Sequence, residues 1–582
     1  MDAQSARIEA AGGAAGWPAM TIAEATAALT APGALFEMED VEIGGRPLRT
    51  WKNQPRTLAA LARRARDMFG TREFIIYEDD RVTYDGWFRA VCALALALRD
   101  AGVGKGDRVA IAMRNLPEWP VAFFAVTAIG AIAVPLNAWW TGGELAYGLA
   151  DSGAKLLICD YRRSCDIAPF RGQLSELREV WVARAQGRAL ADDTTPLESR
   201  IGPAAGYGDL PERDLPDENA DPDDGATIFY TSGTTGKPKG ALGTHRNILT
   251  CTLTGAFASQ RSALRRGEVP AEKPARTGLL VIPLFHVTAC NSSLMGTLMA
   301  GNRLVMMRKW DAGKALALIE RENVNTTGGV PAIAWQIIEH PDREKYDLSS
   351  LELISYGGAP SAPELVRRIG GDLKSLPGNG YGMTETSATV TFHGAEDYVN
   401  RPESCGPPMP VTDLRIMDVD TATPLPTGAV GELWVRGPQV VKGYWNRPEE
   451  TAEAFVDGWV RTGDIARLDE EGFLTIVDRA KDIVIRGGEN IYSSEVENVL
   501  YEHPAVTDAA LVGIPDKVLG EQPAAVVHCA PRRTASEAEL QQWVRERLAG
   551  FKVPVRVLFQ SEPLPRNANG KILKAELKRL FA

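Results

Sequence analysis

Eleven consecutive residues, Tyr230-Thr-Ser-Gly-Thr-Thr-Gly-Lys-Pro-Lys-Gly240, are all Gly, Thr, Ser, Lys, Pro or Tyr, and they follow the mostly apolar run Ala226-Thr-Ile-Phe229. The pattern predicts a strand that breaks into a loop with few bulky side chains. Gly233, Gly236 and Gly240 let backbone N–H groups turn toward one point. The hydroxyls of Thr231, Ser232, Thr234 and Thr235 add donors, and Lys237 and Lys239 add positive charge. Such a loop suits a polyphosphate, which needs many donors and little steric obstruction. It is not a Walker A loop: Thr231 stands where that pattern wants its first glycine, and Pro238 where it wants Ser or Thr.

Three further turns resemble this one in texture: Thr326-Thr-Gly-Gly-Val-Pro331, Leu353-Ile-Ser-Tyr-Gly-Gly-Ala-Pro360 and Gly378-Asn-Gly-Tyr-Gly-Met-Thr-Glu385. Each is expected to follow a strand, so the four turns together read as one composite pocket at the carboxyl ends of α/β strands. The elements that would carry them alternate. Strands are expected at 74–77, 108–112, 131–136 and 155–159, and helices at 84–98, 118–129 and 143–152, which implies parallel sheet with covering helices. A helix starts at Thr57. From about Val411 the texture is β, with a hairpin of Ile465–Leu468 and Phe473–Val477 turning at Asp469–Gly472. The last hundred residues read as a small α+β unit, where Ser536-Glu-Ala-Glu539 is a capping-box start. Residues 1–55 read as a loosely organised lead-in, 204–224 as an acidic solvated linker, and 259–277 as a polar loop.

Composition bounds the function. A chain of 582 residues is too long for one core. A net charge of -11 argues against general nucleic-acid affinity and makes the loop lysines local devices on an acidic surface. Seven irregularly spaced cysteines without a C-x-x-C pair suggest neither a zinc site nor a disulfide framework, so a cytoplasmic location is expected. The N-terminus lacks a signal-peptide core. The 21 uncharged residues Pro120–Trp140 are long enough to span a bilayer. Their Ala, Gly and Pro content instead suggests a buried helix running into a strand, so no integral span is expected. Peripheral membrane contact and a homodimer stay open.

Taken together, six stretches in order resemble the adenylate-forming superfamily of acyl- and aryl-CoA synthetases, firefly-type luciferases and peptide-synthetase adenylation domains. The resemblance covers roughly residues 55 to 580. It implies an α/β fold: a large N-terminal domain with a β-rich subdomain over 56–478, a hinge and adjoining loop over 479–490, and a small mobile α+β lid over 491–582. It also implies ATP, Mg2+ and CoA as cofactor and co-substrates. In such a protein Thr231–Gly240 clasps the β- and γ-phosphates of ATP. Gly357, Gly358, Ala359 and Pro360 border adenine and the acyl pocket. In Tyr381-Gly382-Met383-Thr384-Glu385, the ring stacks on adenine, the threonine touches the α-phosphate and the carboxylate holds magnesium, roles that suit a planar ring, a hydroxyl and a hard oxygen ligand. Asp464, within Trp459–Asp464, takes the ribose hydroxyls. Arg479 sits near ribose and phosphate, Lys481 falls at the pivot, and Gly487 and Gly488 line the pantetheine tunnel. Lys571, in Pro565-Arg-Asn-Ala-Asn-Gly-Lys571, is the catalytic lysine. Asn567 and Lys574 are mild departures that keep polarity and charge.

The implied reaction couples adenylation of a small-molecule carboxylic acid to thioester formation with CoA. Leu284–Leu294 corresponds to the acyl-pocket wall, with His286, Val287 and Asn291 as lining residues alongside Gly357. The wall contains no acid to meet an amino-acid ammonium, and only eleven residues follow Lys571, which argues against a peptide-synthetase module. Small residues at 288–293 are expected to leave volume for an apolar tail or ring. A medium- or long-chain fatty acid is favoured, with an aromatic or other bulky acid next. A luciferase-like oxygenase and a non-catalytic binding protein of the same fold are the remaining classes.

Overall fold

The runs Val109–Ala112, Ile132–Pro135 and Leu156–Asp160 are buried along their whole length, as strands covered on both faces must be. In the computed structural model, which describes residues 17–216, 220–231, 237–269, 274–358, 363–530, 533–566 and 571–581, they lie in a seven-stranded sheet. Its order is 240–244, 225–230, 132–135, 108–112, 156–160, 179–183, 194–196, parallel except for the first pair. A second sheet of eight strands runs 391–394, 376–381, 353–357, 326–329, 277–280, 303–306, 73–77, 80–83, antiparallel only at its two edges. Ser232, Gly233, Thr234, Thr235, Gly236, Ala359 and Pro360, all singled out above, lie outside the described residues.

The two sheets share one core. Phe74, Leu280, Leu304 and Met306 of the second sheet and Val109 and Ile111 of the first cluster with the helices Leu58–Phe69, Tyr84–Asp100 and Glu118–Ala128. The last of these is buried at every position, which explains why Pro120–Trp140 reads like a membrane span: a helix enclosed on all sides is apolar all round. Among the described residues no helix is long and apolar enough to cross a membrane.

Beyond Val411, strands 413–417, 431–436, 455–456, 459–468 and 474–479 form a five-stranded sheet that contains the expected hairpin. The C-terminal unit has its own core. A sheet of 484–486, 489–491, 506–516, 520–529 and 556–560 packs against Ser493–Tyr501 and Glu537–Arg545, the latter capped reciprocally by Ser536 and Glu539 as its sequence predicts.

Three expectations are corrected. The lead-in is organised from residue 17 onward: Thr21 caps the helix Ile22–Leu29, and Met38–Ile43 pairs with Arg46–Trp51. Phe36, Trp51 and Leu29 then pack on Leu253 and Phe257, so a few distant aromatics do the work of a longer pattern. In the acidic stretch, Ala204–Asp209 forms a 3-10 turn, and Tyr207 and Leu215 are buried. The polar excursion begins inside the helix Thr254–Arg265. Its Arg261 and Arg265 are 1% exposed; Arg265 pairs with Asp397 at 2.8 Å and Arg261 donates to the Phe392 carbonyl at 2.6 Å. Buried arginines read as surface residues in sequence.

Where the chain leaves strand 376–381 it makes its tightest approach. A Cβ on Gly382 would fall 1.4 Å from the Ala388 carbonyl oxygen, and Ser387 and Ala388 both take positive φ, 53° and 118°. Only glycine fits such a crossing. Gly382→Ala is expected to cost at least about 1–3 kcal/mol, read as a lower urea midpoint of the full chain. An unchanged midpoint would show that the turn relaxes freely.

Candidate functional site

The phosphate-type loop is closed at its base. The Thr231 N–H donates to the Lys239 carbonyl at 2.8 Å, and the Lys239 N–H returns to Thr231 Oγ1 at 3.2 Å. Its two lysines rest on aromatic faces: Lys237 Nζ lies 5.0 Å from the Tyr147 ring centroid and Lys239 Nζ 5.0 Å from that of Tyr444. Tyr147 Oη also donates to the Pro238 carbonyl at 2.9 Å, while Tyr230 Oη donates to Asp151 at 2.9 Å and Arg447 pairs with Asp151 at 2.7 Å.

Strand 376–381 carries the next group. Tyr381 ends it, and after the Gly382 crossing the chain turns through Met383 into a 3-10 turn at Thr384–Thr386, fixed by the Met383 N–H on Thr386 Oγ1 at 3.0 Å. Glu385 is 6% exposed and accepts from Tyr444 Oη through Oε1 at 2.7 Å. Among the described residues no trio of His, Cys, Asp or Glu could hold a metal ion. A buried carboxylate of hard oxygens, bonded to the tyrosine whose ring meets Lys239, nonetheless fits magnesium, which is habitually held by one or two carboxylates plus substrate phosphates. Gly357 ends the neighbouring strand and Gly358 follows it at φ +75°.

Asp464, on strand 459–468, brings together three of the expected residues. Its Oδ2 accepts from Tyr381 Oη at 2.6 Å, and its Oδ1 pairs with Arg479 at 3.2 Å across the hairpin. Burial, and then the Asp464 charge, push the Tyr381 hydroxyl well above the usual phenol range, so it stays a donor. Lys571 completes the group from the C-terminal unit. Burial first, and then Arg479, hold its amine down at about 8 against the opposing pull of Asp464 and Glu385. Lys481 occupies the 3-10 turn Ala480–Asp482 that joins the hairpin to the C-terminal sheet. Gly487 and Gly488 make the exposed tip between strands 484–486 and 489–491, with φ of +60° and +89°.

The segment expected to wall the acyl pocket winds as a π-helix over Thr288–Leu294, in which the Met295 N–H reaches back five residues to the Cys290 carbonyl. Such single π turns gather at functional sites. His286 precedes it, pushed down to about 3 by burial and by Lys571, so the ring is neutral; its Nε2 is buried without a partner among the described residues. Asn291 donates to the Ser387 carbonyl at 3.0 Å and leaves its Oδ1 in the same condition. Of the small residues expected to open this wall, Ala289 and Cys290 pack in the main core beside Val287, Thr288 is exposed, and Ser292 and Ser293 are half-buried.

Sequence reasoning missed Tyr444, Tyr147, Asp151 and Arg447. Tyr444 lies 59 residues from Glu385, and no spacing rule connects them; an aromatic beside Gly443 in a polar loop is the one signal it carries.

The chain matches the model of the AMP-binding enzyme family over residues 61–445 and that of the AMP-binding enzyme C-terminal domain over 495–571. It is 38% identical over 501 residues to a feruloyl-CoA synthase of Amycolatopsis sp, covering 86% of this chain and 94% of that one. It is 34% identical over 506 residues to the long-chain-fatty-acid–CoA ligase FadD13 of Mycobacterium tuberculosis, covering 87% and 94%. The ATP-bound structure of MatB from Rhodopseudomonas palustris superposes with a TM-score of 0.77 at 30% identity, over 90% of this chain and 99% of that one. With the expected fold in place, the chain belongs to the AMP-binding, adenylate-forming enzyme family and is an AMP-forming acid–CoA ligase.

Proposed function

We propose that this ligase adenylates a hydrophobic carboxylic acid in the cleft bounded by Tyr381, Glu385, Asp464 and Lys571. The observation that carries the reading is the position of Lys571. Burial and the Arg479 charge hold its amine at about 8, against the pull of Asp464 on strand 459–468 and of Glu385 in the turn after strand 376–381. The acid's carboxylate oxygen attacks the α-phosphorus of ATP, forming the P–O bond of the acyl adenylate as pyrophosphate leaves. The sulfur of CoA then attacks the acyl carbon, its proton is lost to solvent, and AMP departs.

The first step brings anion to anion, so positioning and charge neutralisation dominate. Lys237 and Lys239 are placed to meet the outgoing phosphates and Lys571 to meet the reacting carboxylate and α-phosphate. The Tyr381 ring packs on adenine, and Asp464 and Arg479 flank the ribose. Thr384 offers its hydroxyl to the α-phosphate. Glu385 would hold magnesium, which when bound supplies further neutralisation of the triphosphate. The neutral His286 stands at the mouth of the pocket, where it presents a polar edge without adding charge.

For the acid we favour a medium- or long-chain fatty acid, because the Leu284–Leu294 wall offers no charge to pair with a polar substrate. The aromatic reading stands beside it, favoured by the feruloyl-CoA synthase similarity. A pyrophosphate-release screen of fatty, hydroxycinnamic and short dicarboxylic acids, with and without CoA, separates them. Turnover confined to short dicarboxylic acids would overturn both.

Two predictions follow from the lysine. Lys571→Ala should lower pyrophosphate release by about 10²–10³-fold, the scale of losing a preorganised charge donor. Thioester formation from presupplied acyl adenylate should survive, and equal loss in both half-reactions would remove Lys571 from its role. Because the amine is needed charged and deprotonates as pH rises through its pKa, kcat/KM for the adenylation half-reaction should decline above about pH 8. Lys571→Arg, which does not titrate in this range, should lack that limb whatever its residual rate.

A further inference from the structure

We infer that Tyr444 is a positioning residue for the metal-bearing carboxylate, tying Glu385 to the strand that leaves the phosphate-type loop. The inference rests on the reading of Glu385 as the magnesium ligand and adds a residue to it.

The segment Val441–Trp445 lies between the two parts it would couple. On one side it pairs with the exit strand of the loop: Trp445 N–H donates to the Gly240 carbonyl at 2.7 Å, Lys442 N–H to that of Leu242 at 3.0 Å, and Leu242 N–H to that of Gly443 at 2.9 Å. On the other side the Val441 N–H donates to the backbone carbonyl of Glu385 at 3.0 Å, and Tyr444 Oη donates to its Oε1 at 2.7 Å. One short segment therefore grips Glu385 by both main chain and side chain while hydrogen-bonded to the strand that follows Lys239.

Tyr444 is itself held. Its N–H donates to Thr451 Oγ1 at 2.9 Å, Thr451 Oγ1 donates to the Arg447 carbonyl at 2.6 Å, and the ring meets Phe455 edge-on at 5.6 Å. In this pair the phenol O–H donates and the carboxylate oxygen accepts. With Oε1 engaged by that donor, the carboxylate is restrained in rotation, and Oε2 is the oxygen that would be left for the metal. The orientation of a metal carboxylate by an outer hydrogen bond is worth roughly 10–100-fold in metal affinity. The same ring is the resting place of Lys239 at 5.0 Å. One side chain thus holds the carboxylate by its hydroxyl and the lysine by its face.

Tyr444→Phe separates the two holds, since it removes the hydroxyl and keeps the ring. The readout is Mg2+ affinity for the full chain saturated with α,β-methylene-ATP, measured by calorimetry, alongside binding of that analogue without metal. We expect Mg2+ to bind about 10-fold or more weakly, with metal-free analogue affinity within about twofold of the parent. Unchanged Mg2+ affinity would overturn the inference. Glu385→Gln supplies the control. If it leaves Mg2+ affinity intact, the carboxylate reading itself fails; if it weakens Mg2+ while Tyr444→Phe does not, only the tyrosine's role fails. In the Glu385→Gln background, Tyr444→Phe should have almost no further effect on Mg2+. An equal loss in both backgrounds would mark a general structural defect and overturn the inference.

Discussion

A single buried carboxylate holds the site together. Asp464 is 5% exposed, accepts from Tyr381 with one oxygen and pairs with Arg479 through the other. These partners come from the eight-stranded sheet and from the far strand of the β hairpin, and Lys571 of the C-terminal unit lies in the same field. An ionised group so placed is tolerable only while its partners remain, since removing one leaves a buried charge uncompensated. Keeping Asp464 satisfied therefore ties the end of strand 376–381 to the β hairpin, beside the core contacts the two already share.

The loop lysines obey a different rule. On a chain of net charge -11 they have many carboxylates to choose from, yet each rests on a tyrosine face. A cation held by a ring is worth roughly 0.5–1 kcal/mol at exposed sites and keeps its full charge. An anion brought to either lysine would compete with that weak contact and, among the described residues, with no hydrogen-bonded carboxylate. The two tyrosines that provide these faces are anchored through their hydroxyls, by the Pro238 carbonyl and by Glu385, so the parking places are themselves rigid.

Much of this was legible in the residues. The alternation from Phe74 to Cys159 is carried by period and by Gly-bounded apolar runs, and its elements fall within a few residues of those observed. The hairpin at Asp469–Gly472 and the cap at Ser536 rest on local chemistry that acts within a handful of residues. What escaped was everything that depends on contacts distant in sequence. Arg261 and Arg265 look solvated until Asp397 and the Phe392 carbonyl are known to face them, and Phe36 and Trp51 look isolated until Phe257 packs on both. Ala289 and Cys290 illustrate the opposite error: small size suggested open volume, but the main core fills it. Tyr444 was invisible for the same reason as the arginines, its partner being 59 residues away.

The π-helix at Thr288–Leu294 carries one residue more per turn than the α-helix Met295–Ala300 into which it runs. Because that turn already absorbs the extra residue, loss of a single residue within it would let the segment rewind as ordinary α-helix with the chain on either side keeping its facing. The segment can thus change length by one residue without turning its neighbours.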